Sequence, residues 1–230
     1  MATLATFLAK VKRHVPDSSA RFTDADKDEF TKEAVAQYSR DRPLLRDSLL
    51  TGDGTAQSFA VPSDWVDGFS VLLRVEHEID QIPKEFIDVR DAVAVERQSN
   101  LPRILLLSLT LGSAEQARLL YTAPHAVSAS ASTVLSNDDD AIANLAASFL
   151  ARALAAFYAE SIDPSIDADI VDHAAKATLF TSIADKLKGK YVEHLQQGEV
   201  ETGVLVMHEQ DVVFSWGRNL LAPNHGRRFR

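Results

Sequence analysis

Apolar residues change their spacing twice along this chain. From 24 to 41 they recur at helical intervals. From 44 to about 132 they come in short runs broken by Gly, Pro and Asp. From 137 to 198 they return to helical spacing, in two Ala-rich stretches joined by Asp163-Pro164-Ser165-Ile166-Asp167. A β block set inside a helical frame predicts an α+β fold. Its parts are a helical bundle of two long C-terminal helices plus N-terminal helices, an inserted antiparallel β domain, and an extended C-terminal arm. The boundaries are 1–43 and 136–198 for the frame, 44–135 for the β domain and 199–230 for the arm.

In the N-terminal segment Leu4, Phe7, Leu8 and Val11 form one apolar stripe, and Pro16 ends that helix. Thr23 is placed to cap the helix 24–41, with Asp24, Asp26, Asp28 and Glu29 near its positive end and Phe30, Ala34 and Tyr38 on its inner face. In the β block, Leu44–Leu50 and Gln57–Val61 flank Thr51-Gly52-Asp53-Gly54-Thr55, which predicts a hairpin turn. Further strands are expected over Phe69–Val75 and Ala92–Glu96. Arg103–Leu109 and Ala117–Thr122 form a second expected hairpin around Thr110-Leu111-Gly112-Ser113. Val71, Leu73 and Val75 alternate with Leu72 and Arg74, so one face should be better buried. Pro83, Pro102 and Pro124 are expected between strands, where a missing N–H is tolerated. Asn137-Asp138-Asp139-Asp140 precedes an Ala141–Ala159 helix containing nine alanines, small enough to let neighbouring helices approach closely. The last helix carries Ile170, Ala174, Ala177, Phe180, Ile183, Ala184, Leu187 and Tyr191 on one stripe, and Gly198 is a natural stop. Val204–Met207 and Val212–Trp216 are then expected to pair as a hairpin.

At 230 residues, 46% hydrophobic and 25% charged, the chain has the composition of one or two ordinary globular domains. Its net charge of −9 argues against tight non-specific binding of nucleic acid, which needs clustered Lys and Arg. With no cysteine there is no disulfide, Cys-type zinc site or thiol catalysis. The N-terminal basic residues follow the short apolar run, the reverse of a secretory signal. Runs such as Ile104–Leu107 fall far short of the ~20 residues of a membrane span, so no membrane partner is expected.

Candidate chemistry is sparse. The consecutive acids Asp138, Asp139 and Asp140 cannot all face one point on a helix, so capping outweighs metal binding. Asp163, Asp167 and Asp169 lack the Gly and terminal Glu of a calcium loop. The seven histidines (His14, His77, His125, His173, His194, His208, His225) show no zinc-hydrolase spacing, although His77 and His125 share the β block. Gly112-Ser113 lacks a nucleophile elbow, and Thr51–Thr55 lacks the Lys of a phosphate loop. No catalytic, cofactor or metal residue is therefore assigned. The basic end has two readings, a solubilising tail or an arm that orders on a partner. Val212, Val213, Phe214 and Trp216 favour the arm, because a simple tail has no need of them.

The order of segments resembles the head-to-tail connector (adaptor, or neck) proteins of tailed bacteriophages. The likeness rests on Leu49-Leu50-Thr51-Gly52-Asp53-Gly54-Thr55, Val61-Pro62-Ser63-Asp64-Trp65 and Tyr121-Thr122-Ala123-Pro124-His125. It extends to the helix Ala141–Tyr158, and to Asp167-Ala168-Asp169-Ile170-Val171-Asp172-His173 with Lys176. It covers residues 24 to 197. It implies a structural virion protein of the neck, made in the bacterial host cytoplasm, without enzymatic activity or cofactor. It further implies a homo-oligomeric ring, usually of twelve subunits, docked beneath the portal protein. Such a ring extends the DNA channel without specific DNA binding and offers a platform to the next neck or tail protein. In such proteins the C-terminal arm often reaches the portal. The residues expected to make that contact here are Val212, Phe214, Trp216, Arg218, Arg227, Arg228, Phe229 and Arg230. Asp138, Asp139, Glu160 and Asp185 are candidates for an acidic channel wall. The alternative is a ligand- or carbohydrate-binding module on the β domain, using Trp65 and Tyr121. A hydrolase with an unrecognised site is a third reading.

Overall fold

Among the described residues, four α-helices form where the helical periodicity places them. The computed structural model describes residues 2–16, 20–55, 57–82, 85–87, 93–98, 101–107, 109–160 and 167–209. Helix α1 is Leu4–His14, α2 Asp24–Asp41, α3 Asp139–Glu160 and α4 Asp167–Glu209. In α1, Phe7 and Val11 of the expected stripe are fully buried. In α2 the buried face comprises Lys27, Thr31, Ala34, Val35, Tyr38 and Ser39. Two of its buried hydroxyls are satisfied locally, Thr31 donating to the Lys27 carbonyl (2.9 Å) and Ser39 to that of Val35 (2.7 Å). α3 buries Ile142, Leu145, Leu150 and Leu154 together with Ala143, Ala146, Ala147 and Ala151. The stretch Ser136–Glu160 is in fact long and apolar enough to cross a membrane (mean hydropathy 1.4), although no single apolar run suggested it. Its burial accounts for that apolarity, since small residues around a helix allow close packing on several sides.

The fold is α+β. Among the described residues seven strands follow α2: β1 (Leu44–Asp53), β2 (Ser58–Ala60), β3 (Leu72–His77), β4 (Glu85–Ile87), β5 (Val93–Gln98), β6 (Leu101–Leu106) and β7 (Ser113–Ala123). Neither hairpin expected within the β block forms, and its strands pair with other partners. β1 pairs antiparallel with β7, Leu44 opposite Ala123 and Leu50 opposite Ala117. β2 pairs with β6, Phe59 opposite Ile104. One sheet thus runs β1-β7-β3-β4 and the other β2-β6-β5. The first carries Leu50, Leu72, Val75, Ala117, Leu119, Tyr121 and Ala123 into an apolar cluster. The second and the 107–112 connection supply Phe59, Val93, Ile104, Leu106 and Leu111 to the same cluster. Local turn chemistry loses here because burying both sheet faces removes far more apolar area from water than a two-residue turn can offset.

Several local expectations change with the pairing. Gly52 lies in β1, not in a turn: a Cβ there would collide with Leu111 and the Gly112 carbonyl, so the residue serves a close backbone approach. Pro102 lies inside β6 opposite Arg97, beyond the reach of β2, which pairs only with 103–105. There the missing N–H removes no ladder bond on the β2 side. In β3 the register shifts between Leu72 and Arg74, so the buried apolar residues are Leu72 and Val75 while Val71 and Leu73 are exposed. Helix α4 continues past Gly198 to Glu209, so Val204–Met207 are helical and not a strand. An uninterrupted helix is favoured because one Gly costs only about 1 kcal/mol inside it.

The chain falls into two compact units, one of Met1–Ala9 with Asp24–Asp139, the other of Lys10–Thr23 with the chain from Asp140 onward. In the second unit Tyr158 and Phe180 stack (5.6 Å between centroids, 3° between planes), and Arg152 pairs with Asp185 at 3.3 Å. Gly52→Ala is expected to lower stability by roughly 1–3 kcal/mol, the cost of overpacking. Urea unfolding measures this; an unchanged midpoint is incompatible with the close approach described.

Candidate functional site

The β-rich unit is closed by a buried carboxylate. Asp138 ends the 3-10 turn Ser136–Asp138 and is 4% exposed. It accepts a hydrogen bond from the Tyr38 hydroxyl of α2, and Arg42, just beyond the helix, reaches its other oxygen at 3.4 Å. Burial, followed by the bond to Asp138, pushes the Tyr38 phenol well above its usual range, so it remains the donor. His125 packs against Tyr38 with ring centroids 4.9 Å apart and planes tilted by 49°. Its Nε2 faces the Arg42 carbonyl (3.1 Å), its Nδ1 the Thr133 carbonyl and hydroxyl (3.2 and 3.3 Å), and its backbone N–H donates to Ser39 Oγ (2.9 Å). A neutral ring is satisfied when Nε2–H donates to Arg42 and Nδ1 accepts from the Thr133 hydroxyl. Burial pulls the His125 pKa below its usual value, against the opposing bonds to the Thr133 and Arg42 carbonyls. The group is a structural clasp, with no open position for a substrate at its centre. Beside it lies an open hollow of ≈ 300 Å³ lined by residues that include Lys32, Val35, Ser39, Arg40, Phe69 and His125. These lining residues include no carboxylate to act with His125, and Lys32 is held by Glu29 at 2.6 Å.

The second feature is the face of the β1-β7-β3-β4 sheet turned away from the apolar cluster. Cross-strand neighbours share a face. Register therefore places Leu49, Arg118, Glu76 and Phe86 in one row from edge to edge, and Asp47, Leu120 and Arg74 in the next. The row's middle is an ion pair. Arg118 contacts the buried Glu76 at 3.1 Å and Asp80 at 3.2 Å. Its two ends are apolar and half-exposed, Leu49 at 49% and Phe86 at 50%. Leu45, two residues before Asp47 on the same edge strand, is 58% exposed. Arg74 lies over the Phe86 ring, 5.3 Å from its centroid. At the corner of this sheet His77 Nε2 meets Glu115 at 2.8 Å. The Gly112 N–H, then His77, hold the Glu115 carboxyl below the usual range.

Of the residues singled out from sequence, Val212, Phe214, Trp216, Arg218, Arg227, Arg228, Phe229 and Arg230 lie outside the described residues. Trp65 and Tyr121 are brought together, ring centroids 5.8 Å apart, but not as an open platform. Tyr121 is buried and its hydroxyl donates to Asp64. His77 and His125 belong to different clusters, at Glu115 and at Tyr38. Among the described residues no group of His, Asp or Glu is disposed to hold a metal ion. Asp138 and Asp139 are buried, which removes them from the acidic wall suggested by their sequence. Asp140 is paired with Lys10 at 2.8 Å, and Asp185 with Arg152. The row Leu49–Arg118–Glu76–Phe86 escapes sequence reading because it depends on strand order, and only the alternation within β7 hints at it.

Tyr38→Phe is expected to destabilise the chain by roughly 1–3 kcal/mol, since a buried carboxylate loses a donor; thermal unfolding checks the value. His125 binds its proton more weakly folded than unfolded. Stability from this group is therefore present above the unfolded value near 6.5 and is lost as pH falls through that value toward the lower folded pKa. His14, lowered chiefly by burial and then by Lys190, acts with the same sign. Urea midpoints should fall between about pH 7 and 5, and His125→Gln should flatten that slope to the share of His14. An identical slope in the variant contradicts a neutral buried His125.

No protein-family model matches this chain, and no curated protein does. Two solved structures are similar over part of its length. One is a chain from the neck of an empty gene transfer agent particle computed with C6 symmetry, at 17% identity over 62% of this chain and 76% of that one, with a TM-score of 0.29. The other is from the virion of the native gene transfer agent particle, at 16% identity over 65% of this chain and 81% of that one, with a TM-score of 0.28.

Proposed function

We propose that this protein is a structural subunit of the neck of a tailed, phage-like particle. In this role it is a head-to-tail adaptor that assembles as a ring beneath the portal. The observation that carries the reading is the mismatch between its two long helices. At 43 and 22 residues, α4 and α3 span about 65 and about 33 Å. α3 can flank only about half of α4. Between 173 and 197 the buried residues of α4 are Ala184, Leu187 and Tyr191, while Leu179 and Val192 stay exposed at 56% and 39%. A helix of this length with so narrow a buried stripe is suited to neighbours outside its own chain. Among the described residues the order helix, strands, Ala-rich helix, long helix also follows the order on which the sequence resemblance rests.

In this reading α3 and α4 form the ring frame, and the β domain makes lateral or outward contacts. The segment beyond Glu209, apolar at 212–216 and basic at 218 and 227–230, docks on the portal. DNA passes through without specific contacts, as the net charge of −9 favours. The ring offers its far side to the next neck or tail protein. The arrangement calls for no catalytic step and no cofactor.

Electron microscopy of the chain mixed with its portal should show a ring on the portal's tail-facing side. Absence of a ring with both proteins folded sinks the adaptor reading. Deleting 217–230 should leave the circular dichroism spectrum unchanged and weaken portal binding by about tenfold or more, as expected for loss of terminal anchors. Unchanged affinity rules out the arm as the contact.

A further inference from the structure

The two ends of the β1-β7-β3-β4 sheet are complementary to each other. All three pairings are antiparallel, so β1 and β3 point one way and β7 and β4 the other. With an even number of alternating strands, a copy rotated about a ring axis brings its β1 antiparallel to the β4 of its neighbour, and the ladder continues without a reversal. The outer edge of β1 is equipped for this. Thr122 N–H donates to the Val71 carbonyl on the β3 side, so Tyr121 and Ala123 face β1 and bond its residues 46 and 44. The alternate residues Leu45, Asp47 and Leu49 therefore direct their backbone groups outward. β1 is a ten-residue edge strand, and no strand among the described residues covers it.

Side chains at the two edges also match. An unsheared repeat extends the row Leu49–Arg118–Glu76–Phe86 so that the half-exposed Phe86 of one copy meets the half-exposed Leu49 of the next. Aromatic–aliphatic pairs of this kind stabilise cross-strand contacts. The Arg74 guanidinium, held over Phe86, then lies at the edge that approaches Asp47. Pairing β1 with itself about a two-fold axis centred on 45–49 would instead set Asp47 against its own copy, a like-charge contact. We infer that a second copy of this chain is the occupant of the sheet edge. The β4 edge of each subunit joins the β1 edge of the next, so that the β domains close a continuous belt around the ring. The inference rests on the ring proposed above and specifies its lateral interface.

The absence of cysteine makes the test clean, because every thiol is an introduced one. In the full chain carrying Leu49→Cys and Phe86→Cys together, mild oxidation at high concentration should give a ladder of disulfide-linked multimers beyond the dimer. Either change alone should leave monomer. The charge reversal Asp47→Arg should weaken association about tenfold, and adding Arg74→Asp should restore it, since like-charge juxtaposition is costly and its removal reversible. Dimers from Asp47→Cys alone would overturn the inference in favour of β1–β1 pairing. Rings seen by electron microscopy without a ladder overturn this interface while leaving the ring intact. Neither rings nor ladder overturns both.

Discussion

The carboxylate of Asp138 sits where the chain leaves the β-rich unit for the alanine-rich helix. Two side chains from far earlier in the chain converge on it, Tyr38 of α2 and Arg42 just beyond that helix, and His125 of the 124–138 connection packs against Tyr38. A buried acid is costly unless its oxygens are satisfied, and here one is taken by a phenol and the other by a guanidinium. The requirement is strict enough to position α2 against the 124–138 connection. From that position follows the entry of the chain into β1 immediately after Arg42. His125 extends the same arrangement, its Nε2–H donating to the Arg42 carbonyl and its Nδ1 accepting from the Thr133 hydroxyl.

Given that entry point, the pairing of β1 with β7 follows from burial. Leu50, Leu119 and Tyr121 reach the apolar cluster only if these two strands lie side by side, and Gly52 lets β1 pass against Leu111. A Thr51–Thr55 hairpin would have left that face with no covering layer. The residues around Gly54 do turn, with φ of +92° and Thr55 bonded to the Asp53 side chain, so the turn chemistry is present. It ends a strand and does not join two adjacent ones.

Two exposed surfaces are left over when these requirements are met, one on the sheet and one along α4. Each leaves large apolar side chains exposed: Leu49 and Phe86 around the Arg118–Glu76 pair, and Leu179 and Val192 along α4. Surfaces of this composition stay soluble as monomers yet lose little on association, because the ion pairs are already internal and need no new partner. That property fits the assembling subunit proposed above.

Helix positions were legible in the sequence. A period of 3.6 residues is a local signal, and α2 and α3 begin and end within a residue or two of the predicted limits, at Asp24–Asp41 and Asp139–Glu160. Strand positions in β1, β3, β5 and β7 were legible for the same reason. Strand partners were not, because alternation of period two states which face is buried and is silent about which neighbour buries it. The bulge at Leu72–Arg74, the place of Pro102 inside β6 and the continuation of α4 beyond Gly198 were likewise decided by surroundings more than by propensity. Asp138 shows the division most plainly. Sequence alone reads it as one of three acids beside a helix dipole, and only the arrival of Tyr38 and Arg42 makes it the buried centre of the clasp, since a carboxylate takes its role from the donors that surround it.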